Sequence, residues 1–264
     1  MKKVTFVFLC VLMIVIINSC DFSSRNNENG FGKLQLNISH SIKADTFNYI
    51  NEAGNKFMIS EIQYFISDIK LYGKKGDTII LDKYNDIHYI DTDIPETFVY
   101  FPVDSVKPGV YDKMSFTFGI NEKKNKSRLF VNPPESFMFW PEFLGGGYHY
   151  MKLNGKWLDS LNQPKVFNFH LGIGQNYDED RNVVGFVQNY FEVSLENSSV
   201  EIKPSEIAQV DIVMQVENWF RSPNIWDFNK YGGKIMQNQK AISLACENGH
   251  DIFLIKSVKY KDLN

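Results

Sequence analysis

The side chains of this 264-residue chain with soft-donor or redox chemistry are five histidines, four tryptophans, eight methionines and three cysteines. The histidines are His40, His88, His149, His170 and His250, and none lies within helical ligand spacing of another. A metal site would therefore have to be assembled across strands. Imidazole and thioether donors suit copper or zinc better than hard cations. Other chemistries lack their residues: there is no Gly-rich phosphate loop, no G-x-S-x-G elbow and no H-E-x-x-H pair. Glu135 and Glu142 form a carboxylate pair without specificity, and Asp178-Glu179-Asp180 lacks the spaced ligands of a calcium loop, so a solvated loop is expected. Cys246 falls on the apolar face of an expected helix and reads as a structural thiol. With no nucleophile–base pair, the expectation is a binding protein and not an enzyme.

The densest stretch runs from Asn132 to Trp157 (NPPESFMFWPEFLGGGYHYMKLNGKW) and holds Met138, Trp140, Gly145-Gly146-Gly147, Tyr148 and His149. It reads as an aromatic loop with a mobile glycine hinge leading into a strand. It is either a packed edge loop or the rim of a ligand or metal site, with Met138 and His149 as candidate loop ligands. His40 continues the parity of Leu34, Leu36 and Ile38, so it ends an apolar strand face. His170 falls on the parity opposite Phe167, Phe169 and Leu171, and Gly172 and Gly174 beside it permit close approach of another group.

These residues must be positioned mainly by strands. Hydrophobic residues are 44%, charged residues 22% and aromatics 15%, a globular composition that favours sheet. The net charge of −3, with no basic stripe, excludes a nucleic-acid partner. Period-two runs occur at 33–40, 57–72, 78–81, 86–90, 113–120, 148–153, 166–172, 190–195, 209–216 and 252–258. Gly76-Asp77, Pro108-Gly109 and Asn154-Gly155 supply turn chemistry. Ile235, Ile242, Ala245 and Cys246 share one helical face, with Gly249 as the stop. The expected fold is mainly β: an antiparallel β-sandwich with one short C-terminal helix, forming a single domain over 33–264.

The N-terminus carries an address. Lys2-Lys3 precede twelve apolar residues, 6–17, which as a helix reach about 18 Å, well short of the roughly 30 Å hydrocarbon core. The run ends in Ile17-Asn18-Ser19-Cys20, which resembles a bacterial lipobox. Residues 1–19 are then a signal peptide, Cys20 the lipidated residue and 20–32 a flexible tether. The mature protein is expected in the bacterial cell envelope, lipid-anchored to a membrane and facing the periplasm or the cell surface.

Five pieces occur in an order that resembles the MbnP-like family of exported copper-binding proteins: the first strand ending in His40; EIQYFISDIKL at 61–71; KPGVYDKMSFTFG at 107–119; Met138-Phe139-Trp140 with Gly147-Tyr148 and Lys152-Leu153-Asn154-Gly155; and Phe169-His170-Leu171-Gly172. The resemblance implies a β-sandwich, export, and copper as the bound metal. It implies His40 and His170 as ligands and Trp140 as a site of oxidation to kynurenine by a di-haem peroxidase-like partner. The sequence departs from related kynurenine–copper sites in having no W-x-H. The alternative is a metal-free surface module whose loop 137–150 docks a glycan or a protein through Trp140 and Tyr148.

Overall fold

The computed structural model describes residues 30–42, 47–74, 76–81 and 86–263, so the signal peptide, Cys20 and most of the tether lie outside the described residues. The first strands are β1 (Lys33–His40), β2 (Tyr49–Ile50), β3 (Lys56–Gly73), β4 (Thr78–Leu81), β5 (His88–Asp91), β6 (Val99–Tyr100), β7 (Gly109–Phe118) and β8 (Met151–Leu158). They are followed by β9 (Pro164–Leu171), β10 (Gly174–Tyr177), β11 (Val183–Val187), β12 (Phe191–Leu195), β13 (Val200–Ile202), β14 (Glu206–Met214) and β15 (Phe253–Asp262). Two helices, α1 (Phe228–Tyr231) and α2 (Gln239–Asn248), lie between β14 and β15.

The larger sheet is built on β3, with the order β12-β7-β3-β8-β9 and with β2, β4, β5 and β13 filling in along β3 and β7. The smaller sheet has the order β15-β14-β1-β6, and β10-β11 form a separate hairpin. The expected antiparallel sandwich is the fold, apart from one pair: β1 runs parallel to β14. A parallel pair needs a long crossover, and here every strand of the large sheet lies between its two members in the chain.

The two sheets bury their facing parities against each other. Leu34, Leu36 and Ile38 of β1 and Val210, Ile212 and Met214 of β14 are buried from one side. Ile62 and Tyr64 of β3, Met151 and Leu153 of β8, and Phe169 and Leu171 of β9 are buried from the other. Phe253 of β15 joins the layers, with ring centroids 5.1 Å from Phe116 and 6.1 Å from Tyr64. Trp219, Phe220, Trp226 and Phe228 close one end of the sandwich, packing on Phe167 and Phe169.

The helix is shorter than its periodicity predicts. Ile235 is buried but precedes α2, where the Asn238 side chain accepts from the Ala241 N–H and so starts the helix. The β10–β11 hairpin was not foreseen, because most of its residues are exposed or half-buried and carry no alternation.

Candidate metal centre

Residues 138–149 fold back on themselves. The Trp140 N–H donates to the Gly147 carbonyl at 2.8 Å and the His149 N–H to the Met138 carbonyl at 2.7 Å, so the two arms run antiparallel. The reversal is made by Gly145, Gly146 and Gly147, with φ of 119°, 70° and 75°. It is a packed turn. A Cβ on Gly146 would lie 2.6 Å from the Glu142 carboxylate, and one on Gly147 would collide with the Asn125 amide. Glycine is required here by positive φ and by space together. The turn delivers His149 to the mouth of β8, where the Tyr150 N–H donates to the Leu171 carbonyl at 2.8 Å and locks the loop to the end of β9.

The register does the rest. In the β8–β9 ladder Lys152 faces His170 and Asn154 faces Asn168. These four point to the outer face of the large sheet, since their neighbours Met151, Leu153, Phe169 and Leu171 are the buried set. His149 and His170 meet there with ring centroids 5.2 Å apart and planes at 83°. Trp140 stands edge-on to His149, centroids 4.6 Å apart. The indole is fully buried, donates from Nε1 to the Leu144 carbonyl at 3.1 Å, and lies so close to the β9 chain that a Cβ on Gly172 would be 2.6 Å from its ring.

Each imidazole has one nitrogen committed. His149 Nδ1 lies 2.9 Å from the Met138 carbonyl, which only accepts, so Nδ1 carries the proton and Nε2 the lone pair. His170 Nε2 lies 2.9 Å from Asn154 Oδ1. The orientation of that amide is fixed at its other end, where Asn154 Nδ2 donates to Glu61 Oε2 at 2.8 Å. His170 Nε2 is therefore the donor, and the lone pair sits on Nδ1. That Nδ1 is buried and, among the described residues, has no hydrogen-bond partner. A buried acceptor left bare is costly in a folded protein, and a bound ligand is one way it is satisfied. Metal-binding histidines are oriented by an outer acceptor that holds the other ring N–H; here that acceptor is the Asn154 amide oxygen, itself held by Glu61.

Both rings are neutral at physiological pH. Burial lowers His149 to about 3, with the Lys152 charge adding to it against the opposing Met138 carbonyl. Burial lowers His170 to about 4, again helped by Lys152. Lys152 itself donates to the Phe137 carbonyl at 2.6 Å, holding the loop down over the site. Two neutral nitrogen donors, with no carboxylate between them, fit a borderline or soft metal such as copper.

The structure does not bring His40 and His170 together. His40 ends β1 on the interior side of the sandwich, where its Nε2 is 3.1 Å from the Tyr64 hydroxyl and its ring is 5.4 Å from Phe98. Tyr64 is on the inner face of β3, whereas His170 is on the outer face of β9, so the large sheet separates the two imidazoles. Of the remaining expected residues, Met138 contributes its carbonyl, and Trp140 and His149 lie at the site. Cys246 is half-buried, bonded through Sγ to the Asn189 carbonyl and pushed up to about 12 by burial. Asp178 is exposed and accepts from Asn182 in the β10–β11 turn, a solvated loop as expected. Asn154 and Glu61 went unassigned from sequence, although the alternation of 151–154 already puts Asn154 and Lys152 on one face. Glu61 of β3, Asp91 of β5 and Asp93 in the turn after β5 bring carboxylate oxygens within 4.8 Å of one another, and both Asp91 oxygens already accept hydrogen bonds from Gln63, Tyr89 and Asp93.

A search of curated proteins found no match. Among solved structures, MbnP from Methylosinus trichosporium aligns with 86% of this chain and 97% of its own length, at 10% sequence identity and a TM-score of 0.45. The family model for MbnP matches residues 31–238, from the start of β1 to the N-cap of α2 and including the whole His149–His170 constellation. The chain belongs to the MbnP family.

Proposed function

We propose that this is an exported, lipid-anchored copper-binding protein whose metal is held by His149 Nε2 and His170 Nδ1 beside Trp140. The observation that carries the reading is the bare, buried Nδ1 of His170, in a ring 5.2 Å from a second neutral imidazole whose tautomer is also fixed. Family membership supports copper as the metal. His170 keeps the role that the resemblance implies, and His149 takes the place of His40 as its companion. Bound copper would supply a redox-active or Lewis-acidic centre. The chain's own contribution is to fix both tautomers and to exclude water through the packed 138–149 loop. Export and anchoring rest on the leader and on Cys20. Among the described residues no helix is long and apolar enough to cross a membrane.

Trp140 is the residue proposed for oxidation by a di-haem peroxidase-like partner. It is fully buried, so such a partner would act on it without touching the indole. The role is binding and not catalysis, in keeping with the suppressed Cys246 thiol.

Copper titration of the purified protein tests the metal reading. One equivalent should bind tightly, His149→Phe and His170→Ala should each abolish it, and His40→Ala should leave it intact. Unchanged stoichiometry in both of the first two variants would refute the assignment.

A metal-free docking role draws support from the exposure of Phe137 (70%), Phe143 (68%) and Phe139 (41%). Trp140 and Tyr148, expected to make that contact, are instead buried at 0% and 1%. Any partner would meet the three phenylalanines.

A further inference from the structure

His170 also lines a cavity of about 600 Å³ walled by Phe143, Leu144, Asn168, Lys234 and Met236. A second hollow of about 660 Å³, bounded by Tyr177, Arg181 and Val183 of the β10–β11 hairpin, shares Phe143, Leu144 and Gln237 with the first. The two meet at the Phe143 ring and make one groove between that hairpin and the start of α2. Each volume is within the range of small-molecule sites, which are mostly apolar with a few placed polar groups.

The charge of the groove is one-sided. Lys234 stands in the first hollow and Arg181 in the second, and among the described residues no aspartate or glutamate lines either. Neither cation makes a side-chain hydrogen bond or an ion pair among the described residues. The positive end of α2 adds to the first hollow, where Gln237 and Asn238 precede the helix.

We propose that this groove binds a small organic anion with a flat apolar body, an aromatic carboxylate or sulfonate. The acid group is held by Lys234 or Arg181 and the body lies on Phe143, Leu144 and Met236. Apolar walls disfavour a bare inorganic anion, and the two cations favour an anion over a neutral or cationic ligand with the same apolar body. The site needs no metal, although its first hollow shares His170 with the proposed copper centre.

Fluorescence titration of the metal-free full chain with anilinonaphthalene sulfonate tests it, with neutral phenylnaphthylamine as the uncharged control and naphthoate as competitor. The sulfonate should bind saturably and be displaced by naphthoate. Lys234→Glu with Arg181→Glu should weaken it at least about tenfold while leaving the neutral probe unchanged, and Phe143→Ala should weaken both probes. The circular dichroism of these exposed-site variants should match the parent. Absence of saturable sulfonate binding by the parent, or equal affinity in the folded double variant, would overturn the proposal.

Discussion

Asn154 decides which nitrogen of His170 is basic. Its amide is pinned by Glu61, so its oxygen faces the ring and draws the proton to Nε2. Replacing it with leucine removes the acceptor and frees the ring to turn and to change tautomer. Copper affinity of Asn154→Leu should fall by about 10- to 100-fold with the stoichiometry kept, as for other outer-sphere partners of metal-binding histidines. A competition titration against a chelator reads this directly, and an unchanged affinity would remove Asn154 from the site. Gly172 has an equally local role. With the Trp140 ring 2.6 Å from where its Cβ would be, Gly172→Ala must displace the indole or the β9 chain. A loss of about 1–3 kcal/mol in denaturant unfolding is expected.

At the scale of elements, the site is the meeting of one turned-back loop and one ladder. Both need glycines whose positions tolerate nothing larger. Gly147→Ala combines a φ of 75° with a collision at Asn125, whose oxygen accepts from the Tyr148 N–H. The variant should lose metal binding together with the protection of the His149 amide in hydrogen exchange, while β14 and β15 remain protected. Loss of protection throughout the chain would show instead that the loop is part of the folding core.

The strands themselves were legible. Alternation located β1 and β4 to the residue, and it placed His40 inside and His170 outside correctly. That same parity already argued against a shared site, since an inward and an outward imidazole on different sheets cannot meet without a break in the pleat. What alternation cannot supply is pairing. Once β8 and β9 are joined as a hairpin, residue 170 falls opposite 152 and the loop carrying His149 arrives beside it. The role of the glycine triplet was also hidden, because three glycines read as a hinge until the groups packed against them are known.

The whole molecule buries histidines on both sides of its large sheet, and this makes its stability sensitive to acid. His40 and His88 are each lowered to about 4 by burial, His88 against the opposing hydrogen bond to the Thr97 carbonyl. As pH falls below about 6.5 the unfolded chain binds protons at these two positions, whereas the folded chain does so only near 4. The unfolded state therefore binds more protons across that window, and stability is lost as pH drops through it, by up to about 3 kcal/mol per histidine. Denaturant unfolding of metal-free protein between pH 7 and pH 4 should show the loss. The double variant His40→Gln, His88→Gln should reduce it to about the share left by His149 and His170, which burial lowers in the same way, and an unchanged slope would place the acid sensitivity elsewhere.

The proposed copper position lies between His149 and His170 on the outer face of the large sheet. X-ray absorption at the copper edge of the loaded protein tests it most directly. Nitrogen donors with the outer-shell scattering of two imidazole rings are expected, reduced to one ring or lost in His170→Ala and unaltered in His40→Ala. A coordination shell of oxygen or sulfur alone, or one that changes with His40 and not with His170, would contradict it.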